Sequence, residues 1–105
     1  TMERDYTYVD DIVAGVVKAV ERVMGYEIIN IGGSRTCALA ALISTLEDLL
    51  GQKAIVVEAE APPGDVWRTL ADTSKAHRLL DFTPRTGLEE GLRRFIQWYR
   101  EEHTP

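Results

Sequence analysis

Arg4-Asp5-Tyr6-Thr7-Tyr8-Val9-Asp10-Asp11 runs directly into Ile12-Val13-Ala14-Gly15-Val16-Val17, and the reading of this stretch decides the fold. Tyr6, Tyr8 and Val9 suit a strand, so residues 4 to 9 read as one. Asp10 or Asp11 is a natural N-cap for the apolar helical run behind it. A strand that stops at a helix start, with an arginine just upstream, is a good place to hold an anion.

Outward from there, helix and strand patterns alternate. Ile12, Val13, Val16, Val17, Val20, Val23 and Met24 recur at three- and four-residue spacing, with Lys18, Glu21 and Arg22 on the other face. That is an amphipathic helix from about Asp11 to Met24, ended by Gly25 as a C′ residue. Tyr26 to Ile31 is a short apolar run bounded by glycines and reads as a buried, parallel strand. After the turn Gly32-Gly33-Ser34, Thr36 is placed to cap a second helix. Its stripe is Leu39, Leu42, Ile43, Leu46, Leu49 and Leu50, stopped by Gly51. Ala54 to Glu58 reads as a third strand. Ala61-Pro62-Pro63-Gly64-Asp65 is a loop, because two prolines and a glycine deny both helix and ladder. Asp72 is placed as the N-cap of a short helix to Leu80, and Thr86-Gly87-Leu88-Glu89 as a capping box for the last helix. Three short strands and four helices make a small α/β domain over residues 1–105, with apolar surface left over for another chain.

Composition narrows the function classes. Seventeen acidic against twelve basic residues give a net charge of −5, which disfavours a nucleic-acid partner. Arg93, Arg94 and Arg100 are interleaved with Glu89, Glu90, Glu101 and Glu102, a solvated helix face. A single cysteine, Cys37, excludes an internal disulfide and fits a reducing compartment. No apolar run approaches the ~20 residues of a membrane span. A cytoplasmic protein with no membrane partner is the expectation. His77 and His103 lie far apart without ligand-spaced partners, so no metal site is expected.

The motifs, in their order, resemble the C-terminal part of NAD-dependent nucleotide-sugar epimerases and dehydratases, the extended short-chain dehydrogenase/reductases. The opening stretch is similar to that family's arginine-aspartate-aromatic-x-aromatic-valine-x-aspartate segment. Tyr26 to Gly32 resembles its tyrosine-asparagine-isoleucine-glycine strand and turn. Gly64-Asp65 followed by Ala71-Asp72-Thr73-Ser74-Lys75-Ala76, then Leu79-Leu80-Asp81-Phe82-Thr83-Pro84, resembles its next two runs, with Asp81 where the family has glycine. Gly87 to Tyr99 resembles the closing helix. UDP-glucuronate and UDP-galactose 4-epimerases are the nearest wording, and Pro63-Gly64-Asp65 favours the uronate branch.

The resemblance implies a fragment of a larger enzyme. The family's glycine-rich NAD loop and tyrosine-x-x-x-lysine pair are absent: the residues four after Tyr6, Tyr8 and Tyr26 are Asp10, Ile12 and Asn30, and Gly32-Gly33-Ser34 fails the G-x-G-x-x-G spacing. No catalytic residue and no cofactor-binding residue is therefore expected here. In the whole enzyme, NAD takes hydride from the sugar C4 while the missing tyrosine takes the hydroxyl proton; the 4-keto sugar turns and is reduced on its other face. The expected part of this segment is to hold UDP during that turn. The resemblance places Arg4 near the diphosphate, against a surface pair with Asp5 or a glutamate, or a purely structural role. It places Asp65 on the ribose hydroxyls, against a plain turn residue. Pro62 stands where galactose epimerases carry an arginine, and Arg68 is a substitute cation, against a solvated side chain. Trp67, like Trp98 and Tyr99, is read most simply as a packing residue, with stacking on a base as its other use. The implied partners are a UDP-sugar, the missing N-terminal Rossmann domain and a second copy in a homodimer. A stand-alone, non-catalytic α/β interaction or dimerisation module is the alternative, as is the same segment of a dehydratase.

Overall fold

The chain needs a neighbour for every strand, and the computed structural model supplies one only around residues 3–4. It describes residues 2–22 and 25–103. Glu3–Arg4 (β1) pairs antiparallel with Cys37–Ala38 (β2), Glu3 opposite Ala38 and Arg4 opposite Cys37. On its other side β1 meets residues 67–69. The Glu3 N–H donates to the Trp67 carbonyl at 2.6 Å, the Thr69 N–H donates to the Glu3 carbonyl at 3.1 Å, and Glu3 forms a parallel bridge with Arg68.

The helices are Val9–Glu21 (α1), Leu39–Leu50 (α2), Ser74–Leu80 (α3) and Leu88–His103 (α4). The α/β class and the four helices agree with the spacing of the apolar residues, but the strands fall elsewhere. Residues 6–8 lie beyond the two-residue β1. Tyr26–Ile31 and Ala54–Glu58 carry no ladder, and Ile28, Ile55 and Val57 are 69%, 97% and 85% exposed. Backbone N–H and C=O groups form a strand only against another strand. Among the described residues no strand pairs with either segment.

Helix ends differ for equally local reasons. Tyr8, not Asp10 or Asp11, occupies the N-cap of α1, and the Asp11 carboxylate reaches residues 85 and 86 instead. The helix closes at Glu21; Val23 and Met24 of the expected stripe lie outside the described residues. Thr36 does not cap α2, because Cys37 and Ala38 are held in the ladder and α2 begins only at Leu39. Cys37, half-buried, thus lies in a strand rather than at a helix start. Gly51 stops α2 in the left-handed region, φ 68°, as its composition suggests. Asp72 caps α3 from one residue further out: its Oδ1 accepts from the Ser74 N–H at 3.0 Å and the Ser74 hydroxyl at 2.7 Å. Asp81 ends α3 at φ 54°, a left-handed position that Asp tolerates and Gly prefers. The capping box at Thr86 does not form. Glu89 turns forward to Arg93 at 2.9 Å, and the Thr86 N–H it would have taken is held by Asp11.

The core is small. Ala76, Leu80 and Phe82 are buried, with Ala19, Ile29, Ile31 and Leu79 packed against them. Lys18 of α1 and Arg22, which follows it, donate to the carbonyls of Asp81 (2.6 Å) and Leu79 (3.0 Å), closing the C-terminal end of α3. A compact chain of this length has a radius of gyration of about 13 Å. The observed 16.4 Å and extents of 48 × 38 × 19 Å describe an open slab. Val13, Val16, Val17 and Val20 of α1 are all 46% exposed or more, and no residue of α2 is fully buried. No helix is long and apolar enough to cross a membrane among the described residues.

Candidate functional site

Three charged groups of the opening segment, Arg4, Asp5 and Asp11, each reach a different later part of the chain. Arg4 leaves β1 toward the proline loop, where its Nη2 donates to Asp65 Oδ1 at 2.9 Å. Its Nη1 donates to the Glu3 carbonyl at 2.8 Å, and Nη2 also lies 3.7 Å from Met2 Sδ. The loop is a turn of defined type. The Asp65 N–H donates back to the Pro62 carbonyl at 3.1 Å, with Pro63 and Gly64 at the corners and Gly64 at φ 84°. That is the type II arrangement, which fixes proline first and demands glycine second. Asp65 is therefore a turn residue and also the partner of Arg4.

Asp5 gathers two further segments. Its Oδ1 accepts from the Gly33 N–H (3.0 Å) and the Thr7 hydroxyl (3.2 Å), and its Oδ2 from the Ser34 and Ala71 N–H groups, both 3.1 Å. The Asp5 N–H donates to the Thr69 hydroxyl at 3.1 Å. The glycines make room for this: a Cβ on Gly32 would stand 2.6 Å from the Ala71 Cβ and 2.9 Å from Asp5 Oδ2. The Gly32-Gly33-Ser34 turn thus presents its amides to a carboxylate of the same chain. Asp11, 6% exposed, is the third anchor. It accepts from the N–H groups of Arg85 (3.1 Å) and Thr86 (3.0 Å) and so holds the entry to α4.

Sequence reasoning missed Asp5 and Asp11 as organising groups. The available signal was a carboxylate beside Arg4 and a glycine pair with no φ-demanding turn to explain both glycines. Of the expected site residues, Arg4 and Asp65 meet, with side chains 25% and 33% exposed. Arg68 is bridged to Glu3 through its backbone, with its side chain exposed. All three therefore border one edge, set by β1 and residues 62–69. A cleft of about 370 Å³ opens beside that edge, lined by Asp5, Thr7, Asn30, Gly32, Thr69 and Ala71 among others. Trp67 is 64% exposed there. Among the described residues no group of three His, Cys, Asp or Glu side chains is placed to hold a metal. Asp72, at the start of α3, has its pKa held below the ordinary carboxylate value. The Ser74 backbone amide, then the Ser74 hydroxyl, stabilise its anion and lower the pKa.

No family model matches the chain. Over 102 residues it is 41% identical to a UDP-glucuronate 4-epimerase of Thermodesulfobacterium geofontis, covering 96% of this chain and 31% of that one. Among solved structures it superposes on MoeE5 in complex with UDP-glucuronic acid and NAD with a TM-score of 0.93, at 35% identity over 97% of this chain and 34% of that one. The UDP-glucuronic acid 4-epimerase of Bacillus cereus, in complex with UDP-glucuronic acid and NAD, gives 0.90 at 35% identity, over 98% and 33%. The chain spans about a third of the length of the curated relatives it matches. Its homologues and structural neighbours are UDP-glucuronate and UDP-glucose 4-epimerases, and its architecture is that of their C-terminal α/β segment.

Proposed function

We propose that this chain is the nucleotide-sugar-binding segment of an NAD-dependent UDP-sugar 4-epimerase, holding UDP while the sugar is oxidised, turned and re-reduced elsewhere in the enzyme. The residues placed at the nucleotide are Arg4, Asp65 and Arg68. The observation that supports this most is the 2.9 Å meeting of Arg4 and Asp65, residues 61 positions apart, in a chain that superposes on a protein bound to UDP-glucuronic acid. A carboxylate in an open loop accepts hydrogen bonds from hydroxyls, and guanidinium groups beside it match phosphate oxygens. Binding energy from the non-reacting nucleotide then positions the reacting sugar.

The residues present do not fit NAD. The one glycine turn that follows an apolar run has its Gly33 and Ser34 amides on Asp5, which leaves them unable to cradle a pyrophosphate. The cofactor belongs to the remaining two thirds of the parent protein. The same portion is the natural cover for the exposed valines of α1 and for residues 26–31 and 54–58, with a second copy of the parent as a further partner. Calorimetric titration of UDP into the longer protein carrying this segment tests the site. Asp65→Asn and Arg68→Ala should each weaken binding roughly tenfold. Unchanged affinity in both would remove the nucleotide from this edge.

A further inference from the structure

We infer that the groove between α2 and α4 is the seat of the parent chain immediately upstream of residue 1, which lays an apolar helix into it. This rests on the chain being the C-terminal part of a longer protein and is independent of the UDP site. The groove measures about 440 Å³ and is lined by Tyr6, Tyr8, Leu42, Leu46, Leu92 and Phe95 among others. Leu42 and Leu46 stand one turn apart on α2, as Leu88, Leu92 and Phe95 do on α4, a spacing that receives the ridge of a third helix. Phe95 is 51% exposed and carries the apolar surface on to Trp98 and Tyr99, with ring centroids 5.8 and 6.4 Å away. Arg93 and Arg94 are already paired with Glu89 and Glu90, so this part of α4 calls for an apolar partner.

Two further observations name the occupant. The Met2 carbonyl accepts the Leu39 N–H at 3.2 Å, so the chain arriving at residue 2 comes in at the first residue of α2, one turn from Leu42. A segment tethered that close acts at an effective concentration of order millimolar, which a second copy in solution does not match. The floor of the groove also lacks a backbone partner. Residues 5–8 are half-buried and outside any strand or helix, and the N–H groups of Tyr6 and Thr7 donate to nothing among the described residues. Tyr8 is already in the extended region, with φ −67° and ψ 141°. Half-buried main-chain groups of this kind are satisfied by a strand laid alongside. The roughly 30 residues before residue 1 have room for one helix and one strand of average length with their connections.

The test uses the longer protein that carries this segment, with Phe95 replaced by p-benzoylphenylalanine, irradiated and then digested for mass spectrometry. An intramolecular cross-link is expected, from position 95 to a peptide within roughly 30 residues upstream of residue 1. The same photoprobe in place of Leu88 carries the test where the first variant does not fold. In the unmodified longer protein, the Tyr6 and Thr7 amides should exchange at least about a hundredfold more slowly than in an unstructured peptide. A product of twice the parent mass makes the groove a contact between copies and overturns the inference. So does a cross-link to a more distant part of the parent, or none from either position. Free exchange of both amides overturns it as well, since the floor then stays unpaired. No nucleotide enters the experiment, so its failure is distinct from a failure of the UDP site, which the calorimetric titration reads.

Discussion

Asp11 Oδ2 accepts the backbone N–H of Thr86 at 3.0 Å across 75 positions of sequence, and its Oδ1 takes that of Arg85 at 3.1 Å. A helix start thus carries the negative group that closes the entry to another helix. The side chain is 6% exposed, so neither amide finds water once the carboxylate is gone. Asp11→Ala should cost about 1–3 kcal/mol per amide left unpaired. Asp11→Asn should cost less, because its carbonyl oxygen serves one amide while its NH₂ opposes the other. Asp10→Asn, on the exposed neighbour, should change little. Urea unfolding of the three variants separates them, and equal midpoints for Asp11→Ala and Asp10→Asn would contradict the anchor.

The cradle around Asp5 gives a steric prediction. A Cβ on Gly32 meets two fixed groups at 2.6 and 2.9 Å, one of them the Cβ of Ala71. Such contacts yield only by moving backbone, so Gly32→Ala should destabilise by roughly 1–3 kcal/mol. Gly87, whose Cβ would meet nothing within 4 Å, is the control and should accept alanine. The hydrogen-exchange protection of the Ser34 and Ala71 amides reads the same event locally. Both should lose protection in Gly32→Ala and in Asp5→Ala.

The helices were legible because their signals are local: α2 shows its stripe and stops at Gly51, and α4 shows Leu88, Leu92 and Ile96. The solvated face was legible too, since Arg93 and Arg94 pair with Glu89 and Glu90 one turn back. The strands were not. Whether residues 26–31 form a ladder depends on what lies alongside, and Cys37-Ala38 looked like a helix start until β1 claimed it. Asp5 and Asp11 escaped for the same reason: nothing near them in sequence shows that residues 33, 34, 71, 85 and 86 supply their donors. The meeting of Arg4 and Asp65 was legible only through a resemblance in wording, because no periodicity links two residues so far apart.

Acid should loosen the start of α3. Hydrogen bonds from Ser74 hold the Asp72 pKa below its ordinary value. A carboxyl whose pKa is lower in the folded state stabilises fully above its unfolded pKa, and that contribution is lost as pH falls through the lower, folded one. The loss therefore falls below about pH 4, where unfolded aspartates titrate. The Ser74 amide resonance should shift with pH in that window, and Asp72→Asn should abolish the shift while keeping a side-chain acceptor for the cap. A Ser74 resonance that moves identically in Asp72→Asn would place the titration elsewhere.

The Arg4–Asp65 pair should matter little to stability. Both side chains are partly solvated, at 25% and 33% exposure, and such pairs contribute about 0–1 kcal/mol. Arg4→Ala and Asp65→Asn should therefore melt within a few degrees of the parent, in contrast to Asp11→Ala. The loop itself should respond more. With its tether to β1 removed, the turn from Pro62 to Asp65 retains only its internal bond, so limited proteolysis should cut near Val66 faster in Arg4→Ala than in the wild type. Added salt should raise the wild-type cutting rate toward that of the variant, because a partly exposed ion pair is screened. Equal rates of cutting at low salt would mean that the loop is held by something other than the arginine.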